Sequence, residues 1–285
     1  MLIHVVSAGE TLPSIAASYG LSVTFLQNYN QIPNPEQLVV GQSILIAFPY
    51  ETYTVQAGDT IASVIGQSNL TFPQLLQRNP QLISRSQLYP GETLVLTFLD
   101  QSYTPIEVNG YAYPYVNTDV LRTSLPYLTY LTIFGYGFDL EGNMTVIDDE
   151  PLIALAREYD TASMMLLSSV SQEGVFNSYL ASQLMQDPTL QDKVLDNVVS
   201  TIEAKGYVGL DIDFEYIPPE DREGYIAFVE RAAARLNPLG YIVHVDLAPK
   251  SSSSQSGLLY ESHDYGALGS IANQVLVMTY EWGYT

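Results

Sequence analysis

Residues 208–216 read Val-Gly-Leu-Asp-Ile-Asp-Phe-Glu-Tyr. Asp211, Asp213 and Glu215 alternate with Ile212 and Phe214. A β-strand sends successive side chains to opposite faces, so all three carboxylates are expected on one side. Neighbours in that row stand roughly 6.6 Å apart, twice the ~3.3 Å rise per residue. Gly206-Tyr207 before the run and Pro218-Pro219 after it bracket a short aromatic and β-branched segment of the kind found in interior parallel strands. Acids on such a strand need partners or protonation, because an unpaired buried charge is costly. The stretch therefore asks for a fold in which a covered parallel strand opens onto a site that uses acids, and perturbed acids concentrate at active sites. The alternative is a polar edge strand with one solvated face.

The surrounding pattern fits the first reading. After a linker at 99–106, strands are expected at 106–115, 130–137, 162–168, 208–216, 241–247 and 274–280. Helices are expected at 119–125, 151–159, 177–205 (broken near Asp187-Pro188), 220–236 and 265–271. Strand and helix in alternation imply an α/β fold with a parallel sheet and helical crossovers, the acid strand fourth of six. A (β/α)8 barrel takes ~250 residues, about 31 per unit, so the residues after the linker supply only about six units. Within such a barrel these units would leave the C-terminal part missing, with two open sheet edges.

An internal repeat precedes it. Val6-Ser7-Ala8-Gly9-Glu10-Thr11-Leu12 recurs as Val55-Gln56-Ala57-Gly58-Asp59-Thr60-Ile61, and Gly41-Gln42-Ser43-Ile44-Leu45-Ile46 recurs as Gly91-Glu92-Thr93-Leu94-Val95-Leu96. Each copy predicts a strand, a Gly-acid-Thr turn, two short helices (12–19 and 23–29; 61–67 and 72–78) and a closing strand. Thr11 and Thr60 suit helix caps, and Asn30 and Asn79 fall where the second helix stops. The copies, at 1–49 and 50–98, resemble LysM modules, small α+β (βααβ) domains. That resemblance implies binding of peptidoglycan or chitin-type glycan. It points to Gly9, Glu10, Thr11 and Leu12 with Gln31 and Ile32, and to Gly58, Asp59, Thr60 and Ile61 with Pro80 and Gln81. The alternative is that the Gly and Thr residues only build the turn. Two sites on one chain would raise retention on a polymer through effective concentration.

The acid strand resembles the fourth-strand signature of glycoside hydrolase family 18, the chitinase-like (β/α)8 TIM barrels, whose pattern is Asp-x-x-Asp-x-Asp-x-Glu. Three of the four acids match, and Val208 stands in the first place. Val277-Met278-Thr279-Tyr280-Glu281-Trp282 resembles the family's Met-x-Tyr-Asp segment, with Glu281 at the Asp. For residues 107–285 the resemblance implies retaining hydrolysis of a β-1,4 bond beside an N-acetylated sugar, the substrate's own acetamido oxygen acting as nucleophile. Glu215 would protonate the leaving oxygen and then deprotonate water. Asp213 would hold the acetamido group and stabilise the oxazolinium, with Asp211 behind it. Tyr280 would bond the acetamido group, and Glu281 carries over beside it. Crowded carboxylates would help keep Glu215 protonated near neutral pH. Sugar faces stack on aromatics, so Tyr111, Tyr113, Phe134, Tyr136, Trp282 and Tyr284 are candidate subsite walls, Trp282 foremost, with core packing the alternative for each. Lys250 is expected to be solvated rather than in the cleft. No metal or organic cofactor is implied.

Composition narrows the partners. With 31 acidic against 10 basic residues, the net charge of −21 disfavours nucleic acid and anionic membrane. The absence of cysteine removes disulfides, thiol nucleophiles and thiolate metal sites. The first residues lack the charged and long apolar regions of a secretory signal, and no run is long and apolar enough to span a bilayer. LysM pairs joined to a family 18 barrel without these features resemble the spore cortex-lytic N-acetylglucosaminidases of endospore-forming bacteria. The implied location is the spore coat or cortex, with a cell-wall or extracellular setting as the alternative. The rival functions are a chitinase and a catalytically silent glycan-binding coat protein; an intact Glu215 argues against silence. Exo or endo action and oligomeric state leave no mark in the sequence.

Overall fold

A computed structural model describes residues 1–85, 87–99, 104–170 and 176–281, the last by its backbone only. Trp282, Tyr284, the Glu281 side chain and part of the 99–106 linker lie outside the described residues. The chain divides into one compact unit of Met1–Glu107 with Asn117–Leu128, and another of Val108–Val116 with Thr129–Thr285.

In the first unit each repeat copy is a two-stranded antiparallel sheet with two helices. β1 (Leu2–Val5) pairs with β2 (Ser43–Ile46), and between them run α1 (Leu12–Tyr19) and α2 (Val23–Tyr29). The second copy repeats this with β3 (Pro49–Thr54), α3 (Ile61–Ser68), α4 (Phe72–Arg78) and β4 (Thr93–Phe98). Thr11 and Thr60 cap α1 and α3. The amides of Ser14 and Ser63 donate to the threonine hydroxyls at 3.2 and 3.1 Å, and the serine hydroxyls accept from the threonine amides at 3.0 Å. These are capping boxes with serine in the usual Glu/Gln place.

The asparagine after each second helix has a larger task. Asn79 is buried; its amide nitrogen donates to the Leu75 carbonyl at 3.0 Å and the Val95 carbonyl at 2.8 Å, while its oxygen accepts from the Val95 amide at 2.7 Å. Asn30 repeats the triad with Leu26 and Leu45. One side chain thus satisfies a helix-end carbonyl and both polar groups of a strand residue that has no ladder partner on that side. Removing it orphans buried groups at about 1–3 kcal/mol each. Asn79→Ala is therefore expected to accelerate native-state exchange of the Val95 amide by at least roughly tenfold, and hydrogen exchange resolved at that amide checks it.

The second unit is a curled parallel sheet, a partial (β/α)8 TIM barrel. Its strands are β5 (Asn109–Ala112), β6 (Tyr130–Tyr136), β7 (Ala162–Ser168), β8 (Gly209–Asp213), β9 (Ile242–Leu247) and β10 (Gln274–Val277), each parallel to the next in that order. The helices are α5 (Thr118–Ser124), which groups with the first unit, then α6 (Glu150–Glu158), α7 (Ser178–Gln186), α8 (Pro188–Lys205), α9 (Arg222–Leu236) and α10 (Tyr265–Ile271). Asp187 separates α7 from α8: its side chain accepts from the Thr189 amide at 2.8 Å, and Pro188 opens the new helix where its missing N–H is no loss. Among the described residues no helix is long and apolar enough to cross a membrane.

The acid strand lies fourth of six, as expected, and its ladder ends at Asp213 instead of reaching residue 216. The apolar alternation outlasts the ladder because Phe214, fully buried past its end, packs at 5.5 Å on the ring of Phe228 from α9. Tyr216 then turns the chain at φ 55°. The strands expected at 106–115 and 274–280 are likewise shorter, and residues 279–281 form a 3-10 turn. Gly209 brings β8 against β9: a Cβ there would lie 2.1 Å from the Ile242 carbonyl oxygen.

Candidate active site

Asp211, Asp213 and Glu215 do share one side of the chain, at three depths. Asp211 is deepest and fully buried. Its Oδ2 accepts from the Tyr111 hydroxyl of β5 at 2.8 Å and lies 3.3 Å from the Thr132 hydroxyl of β6. Asp213 and Glu215 stand nearer the surface and line a cavity of about 440 Å³. The register of β8 with β9 brings a further acid alongside, because Asp211 faces His244 and the next inward position on β9 is Asp246. Asp246 is buried, lines the same cavity and sits 2.9 Å from the Tyr111 hydroxyl. Burial raises the proton affinity of Asp246 well above the usual carboxylate range, and the charges of Asp211, Asp213 and Glu215 raise it further. Burial also raises Asp211, against the lowering effect of its hydrogen bonds from Tyr111 and Thr132. Acids at the C-terminal ends of barrel strands are where barrel enzymes do chemistry.

The cavity wall is aromatic. Tyr113 stacks on Phe134 at 4.6 Å and on Tyr115 at 5.2 Å, and Tyr111 lies 5.5 Å from Phe134. Burial raises the Tyr113 phenol above its ordinary value, and the charges of Asp213 and Glu215 add to this, so the ring lies within electrostatic reach of both acids. Tyr280 is 75% exposed and reaches the cavity from the turn after β10.

Tyr136 is a correction to the expected subsite walls. It is buried away from the cavity, with its hydroxyl on Asp149, which also accepts from Tyr207 and Lys205. The cause is a bulge: the β6–β7 register advances three residues from Ile133 to Tyr136 against two from Met165 to Leu167. Gly135, at φ 130°, absorbs the extra residue and reverses the faces beyond it. Lys250 is not simply solvated; its ammonium donates to the His263 carbonyl at 3.1 Å, outside the cavity.

His263 holds the base of the site. Its Nδ1 accepts from the Ala248 amide at 2.9 Å, so Nε2 carries the hydrogen and donates to the carbonyl of Phe214 at 3.0 Å, one residue before Glu215. Burial drives its pKa from 6.5 down to about 4. The unfolded chain therefore takes up a proton that the folded chain refuses. This contribution is fully present above pH 6.5 and is lost as pH falls toward 4, reaching about 3 kcal/mol from the cited change at 1.36 kcal/mol per unit. NMR titration of the His263 ring is expected to show a neutral Nε2–H tautomer still in place at about pH 5.5; a midpoint near the ordinary histidine value contradicts the assignment.

The repeat residues divide by burial. Gly9 and Gly58 form exposed turns at φ 85° and 92°. Glu10 accepts from the Ser7 amide at 2.7 Å and contacts His4 at 3.0 Å; Asp59 accepts from the Gln56 amide and the Tyr53 hydroxyl, each at 2.7 Å. Thr11 and Thr60 are exposed at the caps, with Gln31 exposed and Ile61 and Gln81 half-buried. Leu12 is the correction here: it is fully buried with Ile15, Leu26 and Ile44 in the module core, because the first helical position faces inward. Ile32 and Pro80 are buried as well.

The LysM domain model matches residues 4–47 and 53–97, and the model of glycosyl hydrolases family 18 matches residues 109–284. The chain belongs to glycosyl hydrolases family 18. It is 34% identical to the cortical fragment-lytic enzyme of Bacillus subtilis (strain 168), covering 100% of this chain and 67% of that one. Identity to the Bacillus anthracis protein of the same description is 32%, over 98% of this chain and 65% of the relative. The crystal structure of the spore cortex-lytic enzyme SleL from Bacillus megaterium QM B1551 superposes with a TM-score of 0.73 at 31% identity, covering 99% of this chain and 67% of that one. A class V chitinase from Pseudomonas fluorescens Pf-5, at 20% identity and TM-score 0.56 over 61% of this chain and 54% of that one, shows the shared fold. The chain spans about two thirds of the length of the curated relatives it matches.

Within the family 18 domain the structure brings Tyr111, Asp213, Glu215 and Tyr280 to one cavity, with Asp211 behind them and the expected Tyr113 and Phe134 in its wall. Sequence reasoning missed Asp246 and His263. The available signal for Asp246 was a lone acid at an inward position of an otherwise apolar strand, Ile242-Val243-His244-Val245-Asp246-Leu247.

Proposed function

We propose that this glycosidase cleaves β-1,4 bonds of N-acetylglucosamine-containing glycan by substrate-assisted retaining catalysis, with spore cortex peptidoglycan as its polymer. The observation that supports this most is the convergence of Asp213 and Glu215 on an aromatic-walled cavity of about 440 Å³, a shape suited to a sugar ring. Glu215, which lines the cavity, donates to the leaving oxygen and then accepts a proton from water. Asp213 orients the acetamido group and stabilises the positive charge that develops on it, and Tyr280 bonds that group from the opposite side. Tyr113 and Phe134 give the ring its apolar floor. The LysM turns at Gly9-Glu10-Thr11 and Gly58-Asp59-Thr60 retain the chain on the polymer, and in this reading the protein acts at the spore cortex. The substrate assignment rests on relatives described as cortical fragment-lytic enzymes and on the spore cortex-lytic enzyme SleL.

Mass-spectrometric analysis of purified cortex peptidoglycan and of chitin, each digested with the full chain, tests the reading. New reducing N-acetylglucosamine ends from cortex support it. Release from chitin alone moves the substrate to chitin, and release from neither, with binding to cortex retained, favours a glycan-binding role.

A further inference from the structure

The Tyr111 hydroxyl lies 2.8 Å from Asp211 Oδ2 and 2.9 Å from Asp246 Oδ1. A phenol has one hydrogen, so it can donate to only one of them. With both acids charged, the second contact would press two electron-rich oxygens together inside the barrel. One of the acids must therefore supply a hydrogen. Asp211 has a second hydroxyl within reach of the same oxygen, Thr132 at 3.3 Å, which also lies 3.0 Å from Asn109 Oδ1. Among the described residues Tyr111 supplies the one hydroxyl that Asp246 meets.

We propose that Asp246 is a positioning residue of the reaction, holding a buried proton that it donates to the Tyr111 oxygen so that the Tyr111 hydrogen is committed to Asp211. The inference rests on the glycosidase reading above. The titratable groups facing Asp246 are Tyr111 from β5, Asp211, Asp213 and Glu215 from β8 and its extension, and Tyr225 from α9, and each of them bears or can acquire negative charge. A proton on Asp246 keeps one negative charge out of this group. Burial is the first cause of the rise in its proton affinity, and the charges of Asp211, Asp213 and Glu215 add to it, against a lowering by the hydrogen bond with Tyr111. The bridge also conducts. As Asp246 passes its proton to the Tyr111 oxygen, the Tyr111 hydrogen passes to Asp211, leaving Asp246 charged, Asp211 neutral and the tyrosine unchanged. Asp213 is two residues from Asp211 on β8 and lines the same cavity as Asp246. Position 208, where the family pattern has its first acid, is Val in this chain. The fourth carboxyl group of the cluster comes instead from the neighbouring strand.

The test pairs Asp246→Asn, whose amide still donates to Tyr111, with Asp246→Ala, which donates nothing. Infrared difference spectra between neutral and alkaline pH come first and need no turnover. A protonated carboxyl band is expected to remain in Glu215→Gln, where Glu215 can no longer contribute one, and to be absent when Asp246→Asn is added to that variant. In kinetics on soluble cortex fragments, Asp246→Asn is expected to keep kcat within about threefold and to shift the midpoint of the alkaline fall of the kcat–pH profile, which Glu215 sustains as the acid. Asp246→Ala should lose roughly tenfold or more in kcat with little change in KM, the scale of one buried hydrogen bond. A band that persists in the Glu215→Gln/Asp246→Asn double variant overturns the proposal, as do equal losses in both Asp246 variants with unchanged pH profiles. If the wild type turns over none of the fragments, the glycosidase reading fails on its own and the infrared band still decides where the proton resides.

Discussion

Glu215→Gln is expected to lower kcat by about 10²- to 10⁴-fold, the range supplied by one general acid–base group. The amide is nearly isosteric with the acid and can still hydrogen-bond a glycosidic oxygen, but it has no proton to give and cannot take one from water. Neither Phe214, which anchors the segment in the core, nor the His263 bond to the Phe214 carbonyl involves the Glu215 side chain. Folding and polymer retention by the LysM modules should therefore be unchanged. Reducing-end release from cortex fragments, run beside a pull-down on insoluble cortex, separates the two effects. A variant within about tenfold of the wild type would remove Glu215 from the role of acid.

Phe214→Ala should produce the largest stability loss, about 3–5 kcal/mol by the usual cost of truncating a buried Phe. The ring is fully buried, stacked at 5.5 Å on Phe228 and 6.1 Å on Tyr225, with Phe138 at 6.0 Å. None of these neighbours can collapse into the space without moving α9 or the β6 loop. For a unit of this size the melting transition should fall by roughly 6–20 °C in calorimetry. Because the same residue fixes the backbone of Glu215, activity should fall further than the folded fraction at the assay temperature. A loss under about 1 kcal/mol would mean that the ladder, and not this ring, holds the catalytic segment.

The acid strand was legible because its signal is local. Period-two alternation over nine residues sets both the strand and the shared face of Asp211, Asp213 and Glu215, and the tandem repeat exposed the two LysM modules in the same way. The ladder's end at Asp213 was not legible, since the buried Phe214 continues the pattern with tertiary packing in place of strand pairing. Tyr136 was assigned to the wrong face because a single bulge at Gly135 inverts everything after it, and its mark in sequence is one ordinary glycine. Leu12 matched a binding turn in sequence, yet its first helical position points into the core. Asp246 meets Tyr111 across 135 residues, and His263 meets Phe214 across 49, so neither contact leaves a local pattern.

The anomeric configuration of the first-formed product, read by NMR within the first minutes of hydrolysis of a β-1,4-linked N-acetylglucosamine oligosaccharide, tests the central claim most directly. Substrate-assisted catalysis with Glu215 and Asp213 predicts the β-anomer first, with the α-anomer growing only as mutarotation proceeds. The α-anomer appearing first would mean that water attacks the opposite face directly, and would contradict the acetamido nucleophile and the role assigned to Asp213.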